Sequence, residues 1–349
     1  MHSPLRGGVT KFDTPPPFRP RTVLVYVGLD RVGDSLLKLP FVRGLRQAFP
    51  EAKITWVAGK DTSVYASVMA PVVQGLLDEV IERADIGLSP LDVLRRPLSG
   101  RAFDLVIDTQ RVALATLALW RIPKKRFISP FARFLFSSVK PAPGYKFPKT
   151  MMRQTLDLLE LASGQSFPTP PSIRLDIAPE LEDEAGSLLA PGKTYVGIAP
   201  GAGGLPKCWP LERFVALAKQ QVEGGRVPVF VLGPAEQDWL DGLKREVPQA
   251  LFPLQEPGVA QRHRFSPLFT IALCRHLQVC VANDSGVGHM MALSGQPLVS
   301  LFGPTSPKKF TPVSDRLSLI TAQSFGGSLM SFIPLEPVAE AVERVLAEG

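Results

Sequence analysis

An α/β fold made of two doubly wound parallel-sheet halves facing a cleft is predicted by three observations. Short apolar runs rich in β-branched residues alternate with helical patterns along most of the chain, the signature of parallel strands with helical crossovers. A stretch rich in Ser, Gly and Pro between Ser163 and Pro171 interrupts the alternation, which then restarts. Several strand-like runs end in turns of Gly, Asp, Asn, Ser and Pro, at the carboxyl ends where open α/β sheets bind ligands.

The first strand is read at Thr22 to Val27, whose Val-Leu-Val-Tyr-Val run is apolar on both faces, as a central parallel strand should be. It enters the turn Gly28-Leu29-Asp30-Arg31-Val32-Gly33-Asp34-Ser35. Leu36, Leu37, Leu39, Val42, Leu45 and Phe49 then recur at helical spacing, with Pro40 expected to kink that helix. A strand at Lys53 to Ala58 follows, then a helix at Val64 to Met69, a strand at Leu105 to Asp108 and a helix at Val112 to Trp120. A strand at Arg126 to Ile128 and a helix at Met151 to Ala162 complete the first half.

The second half begins with a helix at Glu180 to Leu189 and a strand at Tyr195 to Ala199, which enters the turn from Pro200 to Pro210. A helix from Leu211 to Val222 accepts Pro210 at its first turn. Val227 to Leu232 is a strand, followed by a helix to about Arg245 and another at Leu268 to Arg275. Leu277 to Pro307 then reads as one βαβ unit, with Asn283-Asp284-Ser285-Gly286-Val287-Gly288-His289 between its first strand and its helix. Leu335 to Leu346 is a terminal helix. These readings give a disordered lead-in over residues 1–20 and a first domain over 21–165. A linker and connecting helix span 166–192, and a second domain spans 193–349, its last helix available to pack back on the first.

The chain length of 349 residues gives each half enough sequence for its own core. A content of 45% hydrophobic and 20% charged residues is ordinary for a globular protein. The apolar run Val112 to Trp120 is bounded by Arg111 and Arg121 and falls far short of the roughly 20 residues of a membrane span. No signal-peptide-like run opens the chain. Cys208, Cys274 and Cys280 make neither a disulfide framework nor a zinc spacing, which fits a reducing cytoplasm. The net charge of +7 is concentrated: no acid occurs between Asp108 and Asp157, while that interval carries ten basic residues, among them Lys124, Lys125, Arg126 and Arg133. Phe127, Phe131, Phe134, Leu135 and Phe136 interleave with them, which suits a segment at an anionic membrane surface or a grip on a charged acceptor. An ordinary basic surface over buried phenylalanines fits the same residues. Nucleic acid fits less well, because no binding motif accompanies the charge.

Gly33-Asp34, the Pro200-Gly201-Ala202 turn running to Lys207-x-Trp209-Pro210, and Asp284-Ser285-Gly286-x-x-His289 together resemble glycosyltransferase family nine, the bacterial heptosyltransferases that build the lipopolysaccharide inner core from ADP-heptose. The resemblance runs from Val23 to about Ala347. It implies two Rossmann-like domains of the GT-B type, an inverting transfer and no metal or other cofactor. It also implies a nucleotide-sugar donor, a lipid-linked sugar acceptor and an enzyme that is cytoplasmic and peripheral to the inner membrane. Rivals are another GT-B protein with a different donor, a nucleotide-sugar epimerase, and a degenerate nucleotide-sugar-binding module.

By that resemblance Asp34 is the general base for the acceptor hydroxyl, although an aspartate there also suits a helix N-cap. Lys207, between a Gly-rich turn and a helix, would stabilise a diphosphate leaving group, with Gly201, Ala202 and the hydroxyl of Thr305 nearby. Gly201, Gly203 and Gly204 make no dinucleotide fingerprint. Asp284 would accept donor-sugar hydroxyls, with Ser285 and Gly286 bringing backbone close and an N-cap role also open. His289 is either a ligand contact or a hydrogen-bonded structural histidine. Glu236 matches the position that holds the nucleotide ribose. Lys38 departs from the family, whose members often carry threonine or histidine there, and it lies on the helix assigned to the acceptor side.

Overall fold

The computed structural model describes residues 18–348 apart from Arg95 and Arg264, so most of the lead-in expected over 1–20 lies outside the described residues. The chain forms two compact units. Of the described residues, one comprises those up to Asp30 together with Lys38–Thr169, and the other comprises Arg31–Leu37 together with those from Pro170 onward.

The first half of the chain is ordered β1 (Thr22–Val27), α1 (Val32–Ala48, whose start to Leu37 belongs to the second unit), β2 (Lys53–Ala58), α2 (Ala70–Val73), β3 (Glu79–Ile81), β4 (Phe103–Asp108), α3 (Ala113–Trp120), β5 (Lys124–Ile128) and α4 (Met151–Ser163). Its parallel sheet has the order β3-β2-β1-β4-β5. Because β2 and β4 flank β1, the strand order reverses beside β1. The second unit continues with α5 (Pro179–Ser187), β6 (Tyr195–Ala199), α6 (Leu211–Glu223), β7 (Val227–Phe230), α7 (Leu240–Glu246), α8 (Pro257–His263), α9 (Pro267–Arg275) and β8 (Val279–Asn283). It ends with α10 (Gly286–Leu293), β9 (Leu298–Phe302), α11 (Pro307–Phe310), β10 (Leu317–Thr321) and α12 (Leu335–Ala347). Its sheet, order β10-β9-β8-β6-β7, is also parallel and reverses between β6 and β8.

The buried strands are the ones whose sequences are apolar on both faces. Val196, Ile198, Val281, Val299 and Leu301 form the second core with Trp209 and Phe214, and Leu24, Tyr26, Val57, Val106 and Phe127 form part of the first. Trp209 stacks edge-on against Phe214, and its indole N–H donates to the Ile333 carbonyl at 2.8 Å. Burying a ring of that size contributes on the order of 3 kcal/mol.

Several expected elements shift. The helix expected at Val64 to Met69 is a single 3-10 turn, Val64–Ala66, capped by Ser63, and α2 starts only at Ala70. The stretch before Arg245 divides into a 3-10 segment, Pro234–Trp239, and α7. Helix α1 runs on through Pro40 as one 17-residue element. The terminal helix packs on α6 and on β8 to β10, burying Val338 and Val342 in the core of its own unit.

Candidate functional site

Register builds the centre of the second unit. Ala199 of β6 pairs with Ala282 of β8, so the turns leaving both strands emerge side by side at the point where the strand order reverses. Asn283 ties them together, a role the sequence reading did not assign. Its side-chain amide donates to the Pro200 carbonyl at 2.7 Å, and its oxygen accepts the Trp209 backbone N–H at 3.0 Å. The asparagine amide supplies a donor and an acceptor from one short side chain. The next backbone amide, of Asp284, donates to Leu301 in β9 at 3.0 Å.

These constraints leave the Asp284 side chain outside the helix. Ser285 is the N-cap of α10, its hydroxyl accepting from the Gly288 N–H at 3.1 Å, so the capping role considered for Asp284 belongs to its neighbour. The Asp284 carboxylate faces the Lys207 ammonium at 3.4 Å, with Asp284 buried and the lysine side chain about one-third exposed. Lys207 closes a 3-10 turn, Leu205–Lys207, and α6 starts only at Leu211. Its charge therefore acts as a point cation. The helix end beside it is that of α10, whose first-turn amides belong to Gly286 to Gly288.

Asp34 lies in the first turn of α1, past the cap position, so it is not an N-cap either. Within the same compact unit, His289 feels Asp34, Asp284 and Lys207. Burial lowers the imidazole below its ordinary pKa, the two carboxylates pull it up, and the lysine pushes it down. The net result is a neutral ring at pH 7. Gly33 is required for this approach, because a Cβ there would sit 2.8 Å from the His289 Cδ2. The His289 Nδ1 and the Thr305 Oγ1 are buried without a hydrogen-bond partner in the protein. Orphaned polar atoms of this kind call for a ligand or water.

Glu236 sits deeper than a freely accessible ribose contact. Its carboxylate accepts the Gly233 N–H at 2.8 Å and lies against Gly201, where an added Cβ would approach its Cδ to 2.2 Å. Burial pushes its pKa up, against the pull of that amide. Gly201 therefore admits the carboxylate to the end of β6, beside the partly exposed Ala202.

In the first unit the residues expected on an acceptor or membrane side separate. Lys38 is buried, donating to the Leu29 carbonyl at 3.3 Å and pairing with Asp30 at 3.4 Å. Asp30, unassigned from sequence, also accepts from the Trp56 Nε1 at 2.9 Å and the Ser63 Oγ at 2.5 Å. Arg126 is buried too, donating to the Ala162 carbonyl at 2.9 Å with its guanidinium over Phe18. Half-buried Lys124 lies over Trp120 and Phe127, and desolvation brings its pKa down to about 8. These three are not open surface charges. Their aliphatic stems pack and their heads meet carbonyls, carboxylates or rings. Lys125 is exposed but pairs with Asp104 at 2.8 Å, and Arg133 is exposed. Phe127 and Phe134 are buried.

Among the described residues there is no cluster of three or more His, Cys, Asp or Glu with metal-ligand geometry, and no helix long and apolar enough to cross a membrane.

Residues 92–326 match the model of glycosyltransferase family 9 (heptosyltransferase). The chain is 24% identical to lipopolysaccharide heptosyltransferase 3 of Escherichia coli K12 over 90% of its own length and 96% of that protein. A family 9 glycosyltransferase structure from Veillonella parvula superposes with a TM-score of 0.69 at 19% identity, covering 94% of this chain and 98% of that one. The structure of the Escherichia coli ADP-heptose lipopolysaccharide heptosyltransferase II superposes with a TM-score of 0.66 at 20% identity, covering 94% and 99%. These likenesses identify the fold as GT-B.

Proposed function

The chain belongs to glycosyltransferase family 9 and is a glycosyltransferase, and on that premise we propose that it is an inverting, metal-independent enzyme moving heptose from ADP-heptose to a sugar of the lipopolysaccharide inner core. The donor follows that of one structural neighbour, the Escherichia coli ADP-heptose lipopolysaccharide heptosyltransferase II, and the acceptor follows that of the Escherichia coli relative, a lipopolysaccharide heptosyltransferase. In this reading the acceptor is lipid-linked and the enzyme works in the cytoplasm at the inner membrane.

The Asp34 carboxylate takes the proton of the acceptor hydroxyl as that oxygen bonds to the anomeric carbon. The bond from that carbon to the diphosphate breaks on the opposite face, and ADP leaves with the electron pair. Lys207, with the first-turn amides of α10, stabilises the charge that collects on the diphosphate. Asp284 accepts hydroxyl protons of the donor sugar while holding Lys207 in place, and Glu236 meets the ribose. Neutral His289 and Thr305 offer the leaving group hydrogen-bonding atoms that the protein itself does not satisfy. The observation that carries the reading is the convergence of Asp34, Asp284 and Lys207 on one buried, neutral histidine.

The test is transfer from ADP-heptose, with chelator present, by the wild type and by Asp34→Asn. The variant should lose roughly 10² to 10⁴ in turnover, the usual contribution of a general base. Its affinity for the donor should stay within about twofold on the same grounds, since a base acts on the transition state. Equal loss of turnover and donor affinity would remove the base assignment, and loss of wild-type transfer on chelation would remove metal independence.

A further inference from the structure

The basic interval of the first unit gains an apolar neighbour that composition did not reveal. Between β3 and β4 the chain makes a 3-10 turn, Pro90–Val93, that packs along α3. The contact is tight: at Gly87, just before the turn, an added Cβ would lie 2.3 Å from the Ala115 Cα. The turn presents Leu91 and Leu94 at 58% and 71% exposure, and Leu88 just before it is half exposed. In 3-10 geometry residues three apart eclipse, so Leu91 and Leu94 share a side. The same helix α3 ends in Trp120, itself 52% exposed, whose ring meets Phe136 at 6.2 Å. Beyond Phe136, Leu135 stands 62% exposed. Bulky apolar groups gathered this way on a soluble protein mark a surface that meets something apolar.

Charge selects the partner. Arg96, Arg121 and Arg133 are exposed and stand within two residues of Leu94, Trp120 and Leu135 in the chain, and no acid occurs in the sequence between Asp108 and Asp157. Of the nearest acids, Asp92 accepts from the backbone N–H groups of Leu88 and Ser89, and Asp104 pairs with Lys125. Asp85 is exposed and uncompensated by any of these contacts. Exposed arginines next in the chain to exposed leucines and a tryptophan match an anionic lipid surface, where cations meet headgroups and the apolar tips enter the acyl boundary.

We infer that the first unit docks on the anionic membrane surface through Leu91, Leu94 and Trp120, flanked by Arg121 and Arg133. This rests on the membrane-borne acceptor proposed above and replaces the buried Phe127, Phe134 and Arg126 and the half-buried Lys124 with an exposed set. Docking through this surface holds the enzyme at the membrane that carries its acceptor.

The test uses the full chain with phosphatidylcholine vesicles, with and without phosphatidylglycerol, read by co-sedimentation and by tryptophan quenching with brominated lipid. Trp56 and Trp209 are buried and Trp239 is partly buried, so the part of the quenching that disappears in Trp120→Phe is what reports on Trp120. Anionic vesicles should bind the wild type, with quenching, and added salt should weaken binding. Leu91→Ser with Leu94→Ser should reduce partitioning at least about tenfold, by the apolar area lost. The same variant should keep wild-type transfer to a delipidated, soluble acceptor. Binding with unchanged partitioning in the double variant, or without Trp120 quenching, overturns the proposal. So does concentration-dependent self-association that buries Trp120 without lipid, which would assign the surface to a second copy. Vesicle docking without any transfer activity would instead sink the proposed reaction and leave the docking intact.

Discussion

The carboxyl edges of the two sheets are built alike and used differently. In the second unit, the strand-end polar groups leave capacity unfilled: Asp284 and Lys207 face each other at 3.4 Å, and the His289 and Thr305 polar atoms have no protein partner. In the first unit the corresponding acids are closed off. Asp30 is held by Lys38, Trp56 and Ser63. Asp108 accepts from the Thr116 Oγ1 at 2.6 Å, the Ser129 Oγ at 2.8 Å and the Gln110 N–H at 2.8 Å. An aspartate after a parallel strand is therefore not by itself a ligand group. It becomes one where the neighbours supply fewer donors than the carboxylate can accept.

The comparison breaks first at Lys207. Lys207→Ala should lower turnover roughly 10²- to 10³-fold, as removing one preorganised charged donor does. It should also weaken ADP binding while leaving thermal stability near wild type, because the lysine is partly solvated. Unchanged ADP affinity by calorimetry would make it an ordinary surface lysine. Lys38 should behave in the opposite way. Lys38→Met removes the cation from the buried Asp30 carboxylate while the Trp56 and Ser63 donors remain, so stability should fall by about 2–3 kcal/mol, below the usual cost of breaking a buried pair. Pairing it with Asp30→Asn should recover part of that loss. Denaturant unfolding with an unchanged midpoint but impaired transfer would show that Lys38 meets the acceptor after all.

Much of this was legible from residue order. The central strands were readable because parallel strands buried on both faces are apolar throughout. The edge strands β3 and β10 were not: β3 has three half-buried residues, and Ser318 and Thr321 dilute β10. Asp284 and Lys207 stood out by their positions in Gly- and Ser-containing turns. Asn283 did not, since an asparagine before Asp-Ser-Gly reads as one more turn residue. Its bridging role depends on the register of β6 against β8, which no local pattern carries. Asp30 was hidden because it shares a turn with Asp34, and which of the two is buried depends on Trp56 and Ser63 arriving from elsewhere in the chain. Counting basic residues misjudged Lys124 and Arg126 for the same reason. Charge is visible in sequence, whereas the rings and carbonyls that absorb it are not.

The finest discriminator between the two edges is pH. Asp108 is buried at the end of β4, and desolvation raises its pKa from 3.8 to about 6 even though Thr116, Gln110 and Ser129 donors pull it down. A carboxyl whose pKa is raised on folding is protonated more in the folded than in the unfolded state between those two values. Its stabilisation is complete below about pH 4 and is lost as pH rises to about 6, which is opposite in sign to the paired Glu79, held low at about 2 chiefly by Arg101. Subtracting Asp108→Asn from wild type isolates the term. The wild type should lose stability relative to the variant across pH 4 to 6, with a slope of up to about 1 kcal/mol per pH unit, and the difference should be flat above. A flat difference throughout would mean that the three donors just offset burial. Asp108 would then titrate as if unperturbed although it is buried, its three donors compensating the loss of water.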